Sequence, residues 1–120
     1  MVKSKRFTEL IVWQKAHKLV LEIYKTTKQF PKEETYGLTS RIRRAAISVP
    51  ANIVEGYRRL GKLDKSKFLN VSHGSLEEVK YFLILAKDLN YINENNIESL
   101  TEEVGKLLDS YMKKILSSVS

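Results

Sequence analysis

The chain carries two histidines, His17 and His73, and no cysteine. A nucleophile or general base would therefore have to be assembled from one of these imidazoles and a nearby hydroxyl or carboxylate. Neither histidine has a partner at a workable spacing. Ser75 stands two residues from His73, a separation that sends helical side chains in different directions. A di-metal carboxylate bundle needs Glu-x-x-His on two helices, yet the residues three before His17 and His73 are Gln14 and Asn70. The adjacent pairs Glu77-Glu78 and Glu102-Glu103 diverge around a helix and suit a solvated face. No catalytic residue, metal or cofactor is expected, and the chain reads as a non-enzyme. One match is superficial: residues 56–62 fit the phosphate-loop spacing from Gly56 to Gly61 and Lys62. Leu63 follows where the magnesium-binding Ser or Thr belongs, and the segment continues a helix.

The positive signal is a polar stripe. Arg41, Arg44, Ser48, Asn52, Glu55, Arg59 and Lys62 recur three or four residues apart, opposite the apolar positions Ile42, Val49, Ile53 and Leu60. Arg58, Lys65 and Lys67 extend the basic character. Guanidinium groups suit phosphate because their fork donates two hydrogen bonds. Arg41, Arg44, Arg58, Arg59 and Lys62 are therefore the candidate nucleic-acid contacts. The plainer account is a solvated face with a Glu55–Arg59 salt bridge. Only Tyr57 lies among these basic residues in sequence, so base stacking is not indicated.

Charge supports an anionic partner. The formal net charge is +7, and residues 1–67 hold 16 basic against 6 acidic side chains while residues 68–120 hold 5 against 8. A length of 120 residues fits one domain, 1–120, with 42% hydrophobic and 29% charged residues typical of folded chains. The missing cysteines remove disulfides, thiolate metal sites and thiol nucleophiles and make the cytoplasm the expected compartment. The longest apolar run, residues 81–86, is far short of the roughly 18 needed to span a bilayer, so a soluble protein without membrane contact is expected.

The elements that must position the stripe follow from a 3.6-residue apolar period. It predicts four helices near residues 8–29, 39–62, 65–89 and 95–117 and no strand, hence an all-α, antiparallel up-down four-helix bundle. Thr39 or Ser40 should cap the second helix, Asp64 the third, and Asn90 should close the third. Residues 117–120 are expected to fray. Pro50, inside the second helix, predicts a kink there. Asn52 and Glu55 beside it suit either capping of backbone groups freed by the proline or orientation of the arginines. In the third helix Tyr81, Ile84 and Leu85 fall off the core stripe made by Val79, Phe82, Leu83 and Ala86. A segment apolar all round needs a cover, and another copy of the chain is the expected one.

Residues 7–16 (FTELIVWQKA), 30–39 (FPKEETYGLT) and above all 42–56 (IRRAAISVPANIVEG) resemble the 23S rRNA intervening-sequence proteins, as do 74–78 (GSLEE) and 85–89 (LAKDL). The likeness spans residues 7 to about 92, and Pro50, Asn52, Glu55 and Gly56 belong to its central signature. Val54 departs from it, where a smaller residue is expected. The resemblance implies a four-helix bundle that forms a homopentamer, and genes of this family often lie inside insertions in ribosomal RNA genes. It also implies no catalytic site. A related branch serves as accessory protein to reverse transcriptases of diversity-generating retroelements. The expected function is thus a non-enzymatic homo-oligomer that binds RNA or DNA through a basic surface. The alternative is a protein-interaction subunit.

Overall fold

The computed structural model describes residues 5–93 and 96–118. Four helices carry the chain: α1 (Ile11–Thr27), α2 (Leu38–Arg58), α3 (Lys62–Asp88) and α4 (Ile97–Ser117), with short 3₁₀ turns at Phe7–Glu9 and Lys32–Glu34. Each helix packs against the next and α1 closes on α4, α2 and α3 sharing the most extensive contact. The bundle is 49 Å long and 23 by 20 Å across. The antiparallel sense of α2 and α3 is visible in three bonds, Lys65 to Gly56, Ser72 to Val49 and Ser75 to Ser48, whose partners run in opposite directions. Between α3 and α4 the pairs Lys80–Glu102 and His73–Asp109 do the same.

The core is built from the predicted stripes. Leu19 and Ile23 of α1, Ile42, Val49 and Ile53 of α2, Leu69, Leu76 and Val79 of α3, and Val104 and Leu108 of α4 are fully buried. At this spacing each helix places one apolar face inward, and removing that area from water is the main stabilising term. Among the described residues there is no strand, and no helix is long and apolar enough to cross a membrane.

The helix ends differ from the predicted ones at the start of α2 and at the α2–α3 boundary. α2 starts after Gly37, and its Leu38 amide is held by Glu34 Oε1 at 3.0 Å rather than by a Thr39 or Ser40 hydroxyl. A Cβ on Gly37 would sit 2.7 Å from that same carboxylate oxygen, so the glycine leaves room for the cap. α2 runs unbroken through Pro50 and stops at Arg58, not at residue 62. Arg59 is already extended, and Leu60, counted with the apolar stripe, is 95% exposed. The chain turns here because α3 must return against Gly56. Gly61 rather than Asp64 precedes the first turn of α3, and Asp64 lies within that turn. Asn90 does close α3: it takes a left-handed φ of 63°, and the Tyr91 amide reaches back to the Ala86 carbonyl at 2.9 Å. Residue 95, the expected start of the fourth helix, and residues 119 and 120 of the expected fraying end lie outside the described residues.

Candidate nucleic-acid interface on α2 and α3

The structure sorts the basic residues of the second helix into committed and uncommitted groups. Arg43 reaches α1, donating from Nε to the Thr27 hydroxyl at 2.8 Å and lying 4.4 Å from the centre of the Tyr24 ring. Lys65 donates from Nζ to the carbonyls of Gly56 (3.2 Å) and Tyr57 (2.9 Å) at the end of α2, and burial lowers its pKa. Arg59 pairs with Glu55 at 3.1 Å and covers the Phe68 ring at 4.5 Å. Its Nε is shut off from solvent and donates to nothing among the described residues. The expected Glu55–Arg59 bridge is therefore present, and Arg59 is a tied residue at the α2–α3 turn. Arg41, Arg44, Arg58 and Lys62 have no ion pair or side-chain hydrogen bond among the described residues, and all but the half-buried Lys62 are exposed.

These four do not form one stripe. Lys62 belongs to the first turn of α3. Arg44 and Arg58 are about 21 Å apart along α2 at the rise of an α-helix. Arg58 and Lys62 stand at the end of the bundle where α1 begins and α4 finishes, and there Lys113 and Lys114 border a groove with Leu10 and Ile11. The α4 lysines were not singled out from sequence, because only the antiparallel packing brings residue 113 to the same end as residue 58.

Arg41 and Arg44 instead flank a cleft of about 400 Å³ between α2 and α3, lined further by Ser48, Ser75, Glu78 and Phe82. Its floor is a hydroxyl chain. The hydroxyl of Ser75, a buried residue, bonds to the Ser48 hydroxyl at 2.7 Å, and Asn52 Nδ2 donates to the same Ser48 oxygen at 3.0 Å and to the Ser48 carbonyl at 2.9 Å. Asn52 thus satisfies Ser48, one turn back. The Ala46 carbonyl, which residue 50 would bond in a regular helix if it were not proline, is not among the partners of the Asn52 side chain. Beside Pro50, the Ser72 hydroxyl donates to the Val49 carbonyl at 2.8 Å. Gly56 serves packing: a Cβ there would lie 3.2 Å from the Lys65 carbonyl oxygen of α3.

The residues singled out on α3 divide. Tyr81 and Leu85 line a second cleft of about 340 Å³, together with Tyr36, Leu89, Phe82 and Arg41. Ile84 faces the α4 side, beside Lys80, Glu98 and Glu102. Tyr81 and Ile84 are 57% and 58% exposed, whereas Leu85 is half-buried against the core. The three are i, i+3 and i+4 neighbours on α3, and the clefts on either side of them differ. Of the two histidines, His73 pairs with Asp109 at 3.2 Å and His17 stacks on Trp13 with centroids 5.0 Å apart. Among the described residues no three His, Asp or Glu side chains converge as a metal site would require.

Comparison with known proteins agrees with this architecture. The family described as 23S rRNA-intervening sequence protein matches residues 8–112. A crystal structure of a protein of unknown function from the S23 ribosomal protein family of Bacteroides thetaiotaomicron superimposes with a TM-score of 0.76 at 25% identity, covering 86% of this chain and 96% of that one. No curated protein shows significant similarity. With its bundle fold and a match over nearly its whole length, the chain belongs to the 23S rRNA-intervening sequence protein family.

Proposed function

We propose that the protein is a non-enzymatic homo-oligomer that binds RNA or other nucleic acid through basic side chains the fold leaves uncommitted. The observation that carries this reading is the sorting above. Arg43, Arg59 and Lys65 are used internally, while Arg41, Arg44, Arg58 and Lys62 have no internal partner among the described residues. The ribosomal RNA in the family's description points to the same class of ligand. Phosphate contacts supply affinity by releasing counterions, and joining several copies multiplies weak sites.

The test is binding to ribosomal RNA, duplex DNA and a polyanion control over a series of salt concentrations. Replacing Arg41 and Arg44, or Arg58 and Lys62, with alanine should lower the slope of log affinity against log salt by about 1 to 2 per pair. If both double variants bind as the parent does, with the same slope, the basic residues form a solvated face. The protein-interaction reading then replaces this one.

A further inference from the structure

The two clefts between α2 and α3 are one groove. Arg41 and Phe82 line both of them. On α3 the lining residues Ser75, Glu78, Phe82, Leu85 and Leu89 recur at alternating spacings of three and four. They form a single stripe alongside Arg41, Arg44 and Ser48 of α2. The groove has two chemistries along its length. One half presents the arginines and the hydroxyl chain; the other presents Tyr36, Tyr81, Leu85 and Leu89, together with Glu34, whose carboxylate is engaged by the Leu38 amide and the Tyr91 hydroxyl.

The polar half is built to donate. Ser48 and Ser75 use one hydroxyl proton in the bond between them, and Asn52 donates to Ser48 Oγ, so the pair keeps a second hydroxyl proton for an acceptor in the cleft. With the exposed Arg41 and Arg44 beside it, that half suits a phosphate oxygen. Glu78, which has no ion-pair partner among the described residues, would repel a ligand that is only anionic, so the occupant must also bring hydrogen-bond donors. The apolar half has two tyrosines whose rings meet solvent, Tyr36 at 96% and Tyr81 at 57% exposure. A ligand with phosphate, donors and a flat ring in one unit is a nucleotide, and the clefts fall in the size range of small-molecule sites.

Resting on the nucleic-acid reading above, we infer that the α2–α3 groove takes an unstacked nucleotide of a single strand, its phosphate on Arg41, Arg44 and Ser48 and its base against Tyr81 and Tyr36. A base paired in a duplex cannot reach the tyrosines, so the groove confers preference for single strands.

The experiment compares a short single-stranded oligonucleotide with a duplex of the same length, on the parent and on Tyr36→Leu/Tyr81→Leu. Both positions are exposed, so the variant should keep the fold, which circular dichroism checks. The parent should bind the single strand more tightly. The variant should lose about tenfold on the single strand, while its duplex affinity and salt slope stay at the parent's values. A thiouridine-bearing strand should cross-link to peptides containing Tyr81 or Phe82. Equal affinity for both ligands in the parent and in the variant overturns the groove and leaves the phosphate-binding reading standing. Failure of the parent to bind either ligand overturns both. A change in subunit number in the variant makes the groove a contact between copies and also overturns the proposal.

Discussion

Lys65 Nζ crosses from the first turns of α3 to the Gly56 carbonyl at 3.2 Å, over a glycine whose added Cβ would meet the Lys65 carbonyl oxygen at 3.2 Å. The two residues hold the α2–α3 turn in both directions: the glycine lets the helices approach, and the ammonium donates to the Gly56 and Tyr57 carbonyls of the last turn of α2, adding to the Arg59 amide that already bonds the first of them.

A β-branched side chain at Gly56 cannot be accommodated without moving backbone, because the nearest atom belongs to the α3 main chain. Gly56→Val should destabilise the bundle by about 2 to 3 kcal/mol, a fall in Tm of about 10 °C. Thermal unfolding followed by circular dichroism measures this. A change under about 0.5 kcal/mol would mean that α3 can shift away freely, contrary to the close approach seen here.

The core was legible in the sequence because burial depends on period alone, and Leu19, Ile23, Ile42, Val49 and Ile53 fall where counting puts them. The α2–α3 boundary was not. Leu60 and Lys62 continue the phase of α2, and what stops the helix is a tertiary contact nine residues further on, between Lys65 and Gly56. The groove was half legible. Its arginines appear as a stripe, but its aromatic lining comes from Tyr36, before α2, and from Tyr81 and Phe82 on α3. No local spacing joins these residues to Arg41; antiparallel register does.

Arg43 and Arg59 separate a structural arginine from a ligand-binding one. Arg43 is half-buried and bridges α2 to Thr27 and Tyr24 of α1. Arg43→Ala should cost about 1 to 2 kcal/mol in urea unfolding. It should leave the salt slope of nucleic-acid binding within about 0.3 of the parent's, against a loss of about 1 for Arg44→Ala. Arg59→Ala should also keep the slope, since its guanidinium is already engaged by Glu55 and Phe68. A slope change as large as that of Arg44→Ala would show that these arginines leave their internal partners to bind phosphate.

Acid should weaken the corner where α2 begins. The Leu38 amide and the Tyr91 hydroxyl both donate to the Glu34 carboxylate and hold its pKa below the ordinary 4.5, and the same bond raises the pKa of Tyr91. The unfolded chain binds the Glu34 proton more readily than the folded one. The contribution is therefore complete above 4.5 and is lost as pH falls through the lowered folded value. Glu34→Gln should be less stable than the parent at neutral pH, and the gap should narrow as pH falls through the lowered folded value of Glu34. A gap that does not depend on pH would remove the carboxylate charge from the account.

The self-association expected from α3 can be tested without disturbing the fold, because the exposed Ile84 faces the α4 side while Leu85 packs partly on the core. A Leu85→Glu variant would confound loss of assembly with loss of folding, since it also buries a carboxylate beside the apolar interior. Ile84→Glu places the charge at an exposed position and should change subunit stability by less than about 0.5 kcal/mol. If Ile84 lies under a neighbouring copy, the same substitution forces an unpaired carboxylate into every contact, and light scattering should show the assembly shifting toward monomer. If the variant keeps the parent's mass, the α4-side face of α3 is solvated. Contact between copies would then have to use another surface, of which the exposed Leu21 and Ile47 on α1 and α2 are the next to examine by the same substitution.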